Sequence, residues 1–511
     1  MLAQAQAIET PEVEWSLLTP VLVLIAGAIA LMVLGALLPR TPRRPWHAAF
    51  ALVVAAVAGA TSVAQWFRVR DDGPQFAIAE AVRVDALGAY LGIVICVSVV
   101  LAILLVPAYL RREGLEGPEP YTLVLLSASG GLLMASANDL LVLFLGLEIL
   151  SLAVYVLAGI HVRRARSGEA ALKYFVLGAF SSAFFLYGVA LVYGATGTTN
   201  LSGISRFLAA NVLTDDLLLL AGMALLLVGL GFKVAAVPFH AWTPDVYEGS
   251  PSPVVAYMAS AVKVAGFAGI IRVFTYALTT YRLDWQPLVY VVAVATLVVG
   301  SVLAVSQTNV KRMLAYSSIS HAGFILIAIQ AATDRGTEAA LFYLATYAVT
   351  VAGSFGVVTV VGRTGDGAHA LEDYRGLARR SPLLAGAFLV LLLAQAGVPF
   401  TSGFLAKFYV IGAAVDARSF WLGLIAMLTS VISAFVYLRI VLAMYDSEAD
   451  EAGPKLSVPV GARVAIAASV LVTLGVGLVP SPLTKATETT VERTAPAPAT
   501  EAPAVQIVAG S

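Results

Sequence analysis

The sequence predicts an all-α polytopic membrane protein with about fourteen transmembrane helices. Apolar residues make up 59% of the 511 residues and charged residues only 12%, whereas soluble domains carry about 25% charged residues. The mean hydropathy is +0.89. The apolar runs are continuous and do not alternate with polar residues, which favours spanning helices over a β-barrel. This composition excludes a water-soluble enzyme and a disordered chain.

Apolar runs long enough to cross about 30 Å of hydrocarbon define the predicted spans. In chain order, spans 1 to 14 cover 17–38, 48–67, 87–110, 121–137, 140–160, 171–194, 217–241, 253–276, 288–305, 313–330, 338–361, 383–411, 421–444 and 461–479. The residues before span 1 include Glu9, Glu12 and Glu14 but no Lys or Arg. A cleaved signal peptide would begin with positive charge, so we expect span 1 to be retained as a signal-anchor.

Positive charges in the loops predict the orientation. Most of them follow odd-numbered spans: Arg40, Arg43, Arg44, Arg111, Arg112, Arg163, Arg164, Arg166, Lys311, Arg312, Arg375, Arg379 and Arg380. Cytoplasmic loops carry an excess of Lys and Arg, so these loops are predicted to be cytoplasmic and both termini external. Arg68, Arg70, Arg206 and Arg335 lie on the other side and make the bias moderate.

The tripeptide Val-Pro-Phe interrupts two spans, span 7 at Pro238 and span 12 at Pro399. A proline cannot donate to the carbonyl four residues back and clashes with it, so both helices are predicted to break. The carbonyls of Val234 and Gln395 would then lack helical partners. The breaks are five spans apart, an odd number, so a repeat of spans 4–8 by spans 9–13 would be inverted in the membrane. A chance match of three residues is the alternative.

These observations predict five parts of the chain. They are three N-terminal spans (1–120), a first five-helix repeat (121–276), a second, inverted repeat (288–444), a last span (445–480) and a tail (481–511). The tail is rich in Pro, Ala and Thr and has no hydrophobic period, so we expect it to be disordered and external.

Four charged residues lie inside predicted spans: Glu148, Lys233, Lys263 and Lys407. Each costs roughly 2.5–3.5 kcal/mol unless it is paired or hydrated. A structural ion pair would account for Glu148 and one lysine, but two lysines would remain without an acid at their depth. Burial disfavours the charged form of an unpaired lysine and favours release of its proton. The pattern therefore favours a proton relay, in which Glu148 holds Lys233 protonated and separation passes the proton to Lys263 and then Lys407.

Other polar residues extend this candidate site. His240 follows the first break and His321 lies in span 10; both could carry protons near neutral pH, although a histidine in a membrane helix often only joins helices by hydrogen bonds. Glu169 and Lys173 are four residues apart at the start of span 6 and fit a helical ion pair at the mouth of the relay. Arg272 lies near a span end, from which it can snorkel to the interface, so a structural role is favoured.

Four segments resemble the antiporter-like membrane subunits of respiratory complex I, the proton-pumping NADH-quinone oxidoreductase. They are LEILSLAVYVLAG (147–159), FKVAAVPFHAWTPDVYEGSPSPVVAYMASAVK (232–263), NVKRMLAYSSISHAGF (309–324) and AGVPFTSGFLAKFYV (396–410). Among these subunits the resemblance is closest to subunit N. The match covers roughly residues 85–445, and the block around Lys233 is specific.

The resemblance implies a fourteen-helix fold with two inverted five-helix repeats and broken helices in spans 7 and 12. It places Glu148, Lys233, Lys263 and Lys407 at the family's proton-carrying positions, and Lys407 stands where the sister subunit M has a glutamate. His240, Glu169 and Lys173 also match proton-path positions of the family. Ser250 replaces the alanine that the family usually has in the YEGSP segment.

The resemblance also implies what lies outside this chain. NADH, FMN, iron–sulfur clusters and quinone are expected in partner subunits, and no cofactor is expected here, since the chain has one cysteine, Cys96, and no GxGxxG motif. The expected partners are the other membrane and peripheral subunits of complex I and the lipid bilayer of a bacterial-type inner membrane. The net charge of zero gives no reason to expect nucleic acid. The alternatives are a subunit of a multi-subunit cation/proton antiporter or membrane-bound hydrogenase, and a membrane scaffold that transports nothing.

Overall fold

Long apolar helices dominate the computed structural model, which describes residues 13–38, 45–213, 215–446 and 456–494. The helices are α1 (Thr19–Leu37), α2 (Pro45–Asp72), α3 (Ala86–Glu113), α4 (Glu119–Ser136), α5 (Leu140–Ala158), α6 (Ala165–Thr196), α7 (Leu201–Ala210), α8 (Leu217–Val234), α9 (Trp242–Gly249), α10 (Ser252–Tyr257), α11 (Lys263–Ile270), α12 (Arg282–Val305), α13 (Val310–Gln330), α14 (Asp334–Val361), α15 (Leu377–Arg380), α16 (Pro382–Ala396), α17 (Ser402–Asp416), α18 (Phe420–Met444), α19 (Val460–Leu478) and α20 (Ser481–Thr494). Strands β1 (Gln75–Phe76) and β2 (Arg83–Val84) form an antiparallel hairpin between α2 and α3.

These helices account for the predicted spans. Within the described ranges, 12 helices are long and apolar enough to cross a membrane, and α10 and α11 belong to one of them, Ser252–Ala277. The two other predicted spans are α4, of 18 residues, and the pair α16 and α17, of 15 residues each. The predicted all-α membrane fold is therefore confirmed. Arg40, Arg43 and Arg44, three of the arginines that predict the orientation of the chain in the membrane, lie outside the described residues.

Both predicted helix breaks are present. Helix α8 ends at Val234 and α9 begins only at Trp242, while α16 ends at Ala396 and α17 begins at Ser402. Side chains bind carbonyls near each break: the Trp242 indole donates to the Phe232 carbonyl at 3.1 Å, and the Lys407 ammonium donates to the Ala396 carbonyl at 3.0 Å. The sequence predicted free carbonyls at Val234 and Gln395. The carbonyls that accept these side-chain hydrogen bonds lie within two residues of those positions.

The inverted repeat is visible at two helix starts. Asp139 caps α5 and Asn309 caps α13, each through a side-chain oxygen that accepts the N–H two residues on. Each cap residue also forms an antiparallel bridge to the loop after the following span, Asp139 with Asn200 and Asn309 with Ala370. Because spans 5 and 10 are separated by an odd number of crossings, the same motif occurs once on each face of the membrane.

The tail prediction is wrong for residues 481–494, which form α20. Its inner face consists of the buried residues Thr487, Thr490, Val491 and Thr494. Thr490 accepts a hydrogen bond from the Trp66 indole at 3.1 Å, and Thr494 accepts one from the Leu87 N–H at 3.1 Å. Threonines at helical spacing form this face through methyl packing and hydroxyl bonds, a pattern that hydropathy does not detect. Residues 495–511 lie outside the described residues.

On the face where the basic loops meet, Asp366 joins several of them. Its buried carboxylate lies 3.1 Å from the Lys311 ammonium, 3.3 Å from the Arg164 guanidinium, 3.9 Å from that of Arg112 and 2.8 Å from His369 Nε2. These residues come from the loops or helix ends after spans 3, 5, 9 and 11. The structure thus brings together the loops that follow odd-numbered spans, which the charge pattern had assigned to one side of the membrane.

We expect Asp366→Asn to destabilise the protein in a pH-dependent way. Burial raises the pKa of the Asp366 carboxyl, but the charge of Lys311 and the hydrogen bond from His369 lower it more, so the pKa lies well below its ordinary value. A carboxylate with a lowered pKa contributes stability above about pH 4 and loses it as the pH falls further. Removing the charge from a buried cluster costs about 3–5 kcal/mol.

The measurement is the melting temperature of wild type and variant between pH 7 and pH 3. The difference should be largest at pH 7 and begin to shrink below about pH 4. Asp416→Asn is the matched control, because Asp416 pairs with Arg335 at an exposed site and exposed pairs contribute little. A pH-independent difference for Asp366→Asn would contradict the assignment.

A second buried ion pair lies at the opposite face. Arg272 is fully buried and binds both carboxylate oxygens of Asp85, at 2.5 and 2.6 Å, and its Nε donates to the Ala135 carbonyl at 2.9 Å. Arg272 therefore has the structural role that the sequence favoured, but it plays this role as a buried ion-pair partner and does not snorkel to the interface. Its partner lies 187 residues away in the sequence, so only the packing of spans 3, 4 and 8 brings them together.

Candidate functional site

Lys233 lies near the end of α8, buried beside the first break. Its ammonium donates to the Ser151 hydroxyl at 2.6 Å and lies 5.7 and 5.6 Å from the ring centres of Tyr155 and Tyr174. Glu148, half-buried on α5, instead accepts a hydrogen bond from Ser182 of α6. No ion pair joins Glu148 to Lys233 in the part of the chain that the structure describes, so the two groups are in a separated arrangement.

Lys263 lies in the middle of the span formed by α10 and α11 and is fully enclosed. Its ammonium donates to the Ser318 carbonyl at 2.5 Å and to the Ser318 hydroxyl at 2.6 Å, and it lies 5.8 Å from the centre of the Tyr347 ring. Span 8 belongs to the first repeat and Ser318 to the second. Lys263 therefore sits where the two repeats meet.

Lys407 follows the second break and is also buried. Its ammonium donates to the Ala396 carbonyl at the end of α16 and lies 4.9 Å from the centre of the Phe324 ring. The close approach requires the glycine at 397: a Cβ there would lie 3.0 Å from the Lys407 side chain, and the backbone φ is +89°. The broken helix thus supplies the oxygen that holds this lysine.

His321 lies in a buried hydrogen-bond chain between these lysines. Its Nδ1 is 2.6 Å from the Tyr343 hydroxyl and its Nε2 is 3.1 Å from the Tyr437 hydroxyl. The Tyr437 hydroxyl is also 2.5 Å from the Ser317 hydroxyl, which lies 3.4 Å from the side-chain oxygen of Gln395. Ser317 precedes Ser318, and Gln395 precedes Ala396. The chain therefore includes the residues next in sequence to Ser318 and Ala396, whose oxygens hold Lys263 and Lys407.

Glu169 and Lys173 form the predicted pair, at 2.7 Å, but the structure adds further charges. Lys173 also binds Asp245 at 2.8 Å, and Asp245 binds Arg312 at 2.8 Å. Burial raises the pKa of the Asp245 carboxyl, but the hydrogen bonds from Lys173 and Arg312 lower it more, to below its ordinary value. Asp245 is therefore ionised at neutral pH and connects span 6 of the first repeat to span 10 of the second.

A cavity of about 210 Å³ opens beside this cluster. Its lining includes Arg166, Glu169, Lys173, Asp245 and Glu248. His240 lies half-buried between the break and α9, the helix that carries Asp245. The cavity is lined by charged groups and lies on the face of the basic loops, so it can admit water to the end of the first repeat.

The three buried lysines share one property. Each donates to neutral oxygens, from Ser151, Ser318 or Ala396, and in the described ranges none has a carboxylate within ion-pair distance. A carboxylate would hold the lysine protonated, whereas neutral acceptors in a desolvated site leave the proton exchangeable. The arrangement can therefore bind and release protons at several points across the two repeats. In the same ranges, no group of three His, Cys, Asp or Glu residues could hold a metal ion.

The family model for the membrane region of NADH:quinone oxidoreductases and Mrp antiporters matches residues 137–433. NADH-quinone oxidoreductase subunit N of Rhodococcus opacus is 41% identical over 94% of this chain and 96% of its own length. That of Mycobacterium tuberculosis is 40% identical over 93% of this chain and 97% of its own length. The chain belongs to the subunit N family of NADH-quinone oxidoreductases.

Solved structures share the fold of this chain. A chain of respiratory complex I from Thermus thermophilus with bound aureothin is 36% identical, with a TM-score of 0.78, over 92% of this chain and 99% of that one. A chain of an archaeal membrane-bound sulfane sulfur reductase is 25% identical over 94% of this chain and 97% of that one, with a TM-score of 0.83. A chain of an Mrp complex from Dietzia is 22% identical over 93% and 97%, with a TM-score of 0.82, and shows the fold alone. The expected family is confirmed.

The sequence identified the charged residues within the spans of this member of the subunit N family, but it did not identify the neutral residues that bind them. Ser151, Ser182, Ser318, Tyr437 and Gln395 are uncharged residues in apolar runs. Hydroxyl groups at helical spacing are common in membrane helices, so only the packing shows which of them face a lysine. Asp245 could have been found from the sequence, because PDVYEG is an acidic segment between two spans.

Proposed function

We propose that this chain translocates protons as the membrane subunit N of a proton-pumping NADH-quinone oxidoreductase. The observation that carries the proposal is the set of three buried lysines, Lys233, Lys263 and Lys407, each held by neutral oxygens. A structural ion-pair role would require carboxylate partners. Lysines that lack them in a desolvated interior are suited to exchange protons.

In the first step, Lys233 changes partner between Ser151 and Glu148. These two residues are three apart on α5 and lie on the same face of that helix. When the Lys233 ammonium is near the Glu148 carboxylate, attraction holds its proton. When Glu148 is bound to Ser182 and Lys233 to Ser151, as in this structure, the ammonium loses that stabilisation and its proton can leave. Movement of Glu148 thereby controls proton release.

The released proton passes to Lys263 and then to Lys407. The chain of Tyr343, His321, Tyr437, Ser317 and Gln395 lies between the oxygens that hold these two lysines. Hydroxyl and imidazole groups both donate and accept, so they can pass a proton along such a chain. The charged cavity with Glu169 and Lys173 supplies water at the mouth, and His240 lies in the chain between Lys233 and Asp245, which lines that cavity.

The remaining chemistry belongs to partner subunits. In this proposal NADH, FMN, iron–sulfur clusters and quinone are bound by partner subunits, as the relationship to NADH-quinone oxidoreductase subunit N implies. The basic loops would face the cytoplasm and both termini the outside of a bacterial inner membrane. Other membrane and peripheral subunits of complex I would cover the half-buried Glu148 and drive its movement.

The second candidate is a subunit of an Mrp-type antiporter or a membrane-bound sulfur-reducing or hydrogenase complex. The fold is common to these assemblies. The sequence favours the first candidate, because identity to subunit N relatives is 41% and identity to the Mrp chain is 22%.

The decisive experiment is to purify the native assembly that contains this chain and reconstitute it in vesicles. We expect NADH oxidation by quinone to drive proton uptake, and Glu148→Ala to lower the number of protons moved per electron. An assembly without NADH-oxidising activity would favour the second candidate. An unchanged ratio in Glu148→Ala would refute the role of Glu148 in the relay.

A further inference from the structure

Ser318 is in contact with Lys263 through two oxygens. The carbonyl accepts from the ammonium at 2.5 Å and the hydroxyl at 2.6 Å. Both residues are buried, with exposed fractions of 2% for Lys263 and 0% for Ser318. Lys263 comes from the first repeat and Ser318 from the second, so this contact crosses the boundary between the repeats.

The inverted repeat gives Ser318 a counterpart. The caps Asp139 and Asn309 occupy equivalent places, as their side-chain bonds and bridges show. Nine residues after Asp139 comes Glu148, and nine residues after Asn309 comes Ser318. The two repeats therefore place a carboxylate and a neutral hydroxyl at the same position of the equivalent helix.

We propose that Ser318 is a positioning residue that holds Lys263 by neutral oxygens, at the position where the first repeat has the carboxylate of Glu148. The inference rests on the proposed proton relay and adds to it an asymmetry between the two halves. In the proposed relay, the negative charge of Glu148 can hold the proton on a lysine and control its release. Ser318 orients the Lys263 ammonium without adding a negative charge that would hold its proton. Lys263 can therefore pass on the proton that it receives from Lys233.

The other titratable groups that the structure describes around Lys263 include no carboxylate that could bind its ammonium in place of Ser318. Among the described residues, the titratable groups that interact with Lys263 or Ser318 are Tyr247 of α9, His321 of α13 and Tyr347 of α14. None is a carboxylate, and no carboxylate lies within ion-pair distance of Lys263 in the described ranges. The two Ser318 oxygens are therefore the strongest acceptors that the ammonium contacts.

The test uses three substitutions at residue 318 in the reconstituted assembly and measures NADH-driven proton uptake against pH. Ser318→Ala removes one acceptor of the ammonium. We therefore expect the alkaline limb of the profile, the range in which proton uptake falls as the pH rises, to shift to lower pH by about one unit. Ser318→Asp introduces a carboxylate that holds the proton, so the limb should move up and uptake at pH 7 should fall roughly tenfold. Ser318→Thr keeps the hydroxyl and should retain the wild-type profile.

Ser301→Ala is the matched control. Ser301 is buried on α12, and its hydroxyl donates to the Leu297 carbonyl of its own helix at 2.7 Å, so its removal should leave the profile unchanged. A purely structural role for Ser318 would lower the amount of assembled complex without moving the limb. Unmoved limbs in the Ala and Asp variants would overturn the inference. If Ser318→Asp does not assemble, the contrast between Ala and Thr still decides.

Lys263→Met separates this inference from the proposed function. Two results together would reject the role of Ser318 and leave the relay intact. They are a loss of proton uptake in Lys263→Met and pH profiles of the Ser318 variants whose alkaline limbs match that of the wild type. Full proton uptake in Lys263→Met would reject the relay itself.

Discussion

Lys233→Met is expected to lower NADH-driven proton uptake and quinone reduction by roughly a hundredfold or more, the scale of effect that a positioned proton-transfer group has. Methionine preserves the length and the apolar stem that packs beside Tyr155 and Tyr174. It carries no proton and cannot donate to Ser151. The measurement is proton uptake and NADH oxidation by the assembly in vesicles, normalised to the amount of assembled complex.

Lys233→Arg separates a relay from a structural charge. Arginine keeps the positive charge but does not release its proton near neutral pH, so we expect this variant to be as defective as Lys233→Met. A structural ion pair would instead be rescued by arginine. Lys485→Met, at an exposed position of α20, is the matched control and should behave like wild type. Normal proton uptake in Lys233→Met would exclude this lysine from the pathway.

Asp85→Ala should have the largest effect on stability. The substitution leaves the fully buried Arg272 guanidinium without its bidentate partner. Breaking a buried pair by removing one partner costs about 3–5 kcal/mol, a large fraction of the stability of a folded protein. We expect little assembled complex in the membrane and a strongly lowered melting temperature.

Two further variants make the expectation specific. Asp85→Leu combined with Arg272→Leu also removes the Arg272 charge, and we expect it to recover part of the lost stability, because the Arg272 guanidinium is no longer buried without a partner. The recovery is partial, since the buried Arg83, 3.2 Å from Asp85 in the wild type, still loses its carboxylate. Asp72→Ala breaks an exposed pair with Arg68 and should have little effect. A melting temperature for Asp85→Ala close to that of wild type would show that the pair does not hold these spans together.

The positions of the helices could be predicted from the sequence because a membrane imposes one dominant requirement. A helix that crosses hydrocarbon must be apolar over about twenty residues, and this condition can be read locally. The same reasoning located the breaks at Pro238 and Pro399, because proline acts on its own helix. It failed at α20, where the threonine face at Thr487 and Thr490 depends on contacts with α2, α3 and α14 and has no apolar run.

Depth in the membrane is also a local property, and it singled out Glu148, Lys233, Lys263 and Lys407. Their partners are not local. Lys233 and Ser151 are 82 residues apart, and Lys263 and Ser318 are 55 residues apart. A serine in an apolar run looks the same whether it faces a lysine or its own helix carbonyl. The sequence therefore predicted which residues carry charge in the membrane but not which groups hold them.

By itself the sequence determined the membrane class, the number of spans, the two breaks and the buried charges, because each depends on residues close together in the chain. Only the tertiary structure decided that Lys233, Lys263 and Lys407 are held by neutral oxygens, that Glu148 lies apart from Lys233, and that Arg272 is paired with Asp85. These outcomes depend on which faces of distant helices meet, and that is set by the packing of all the helices together.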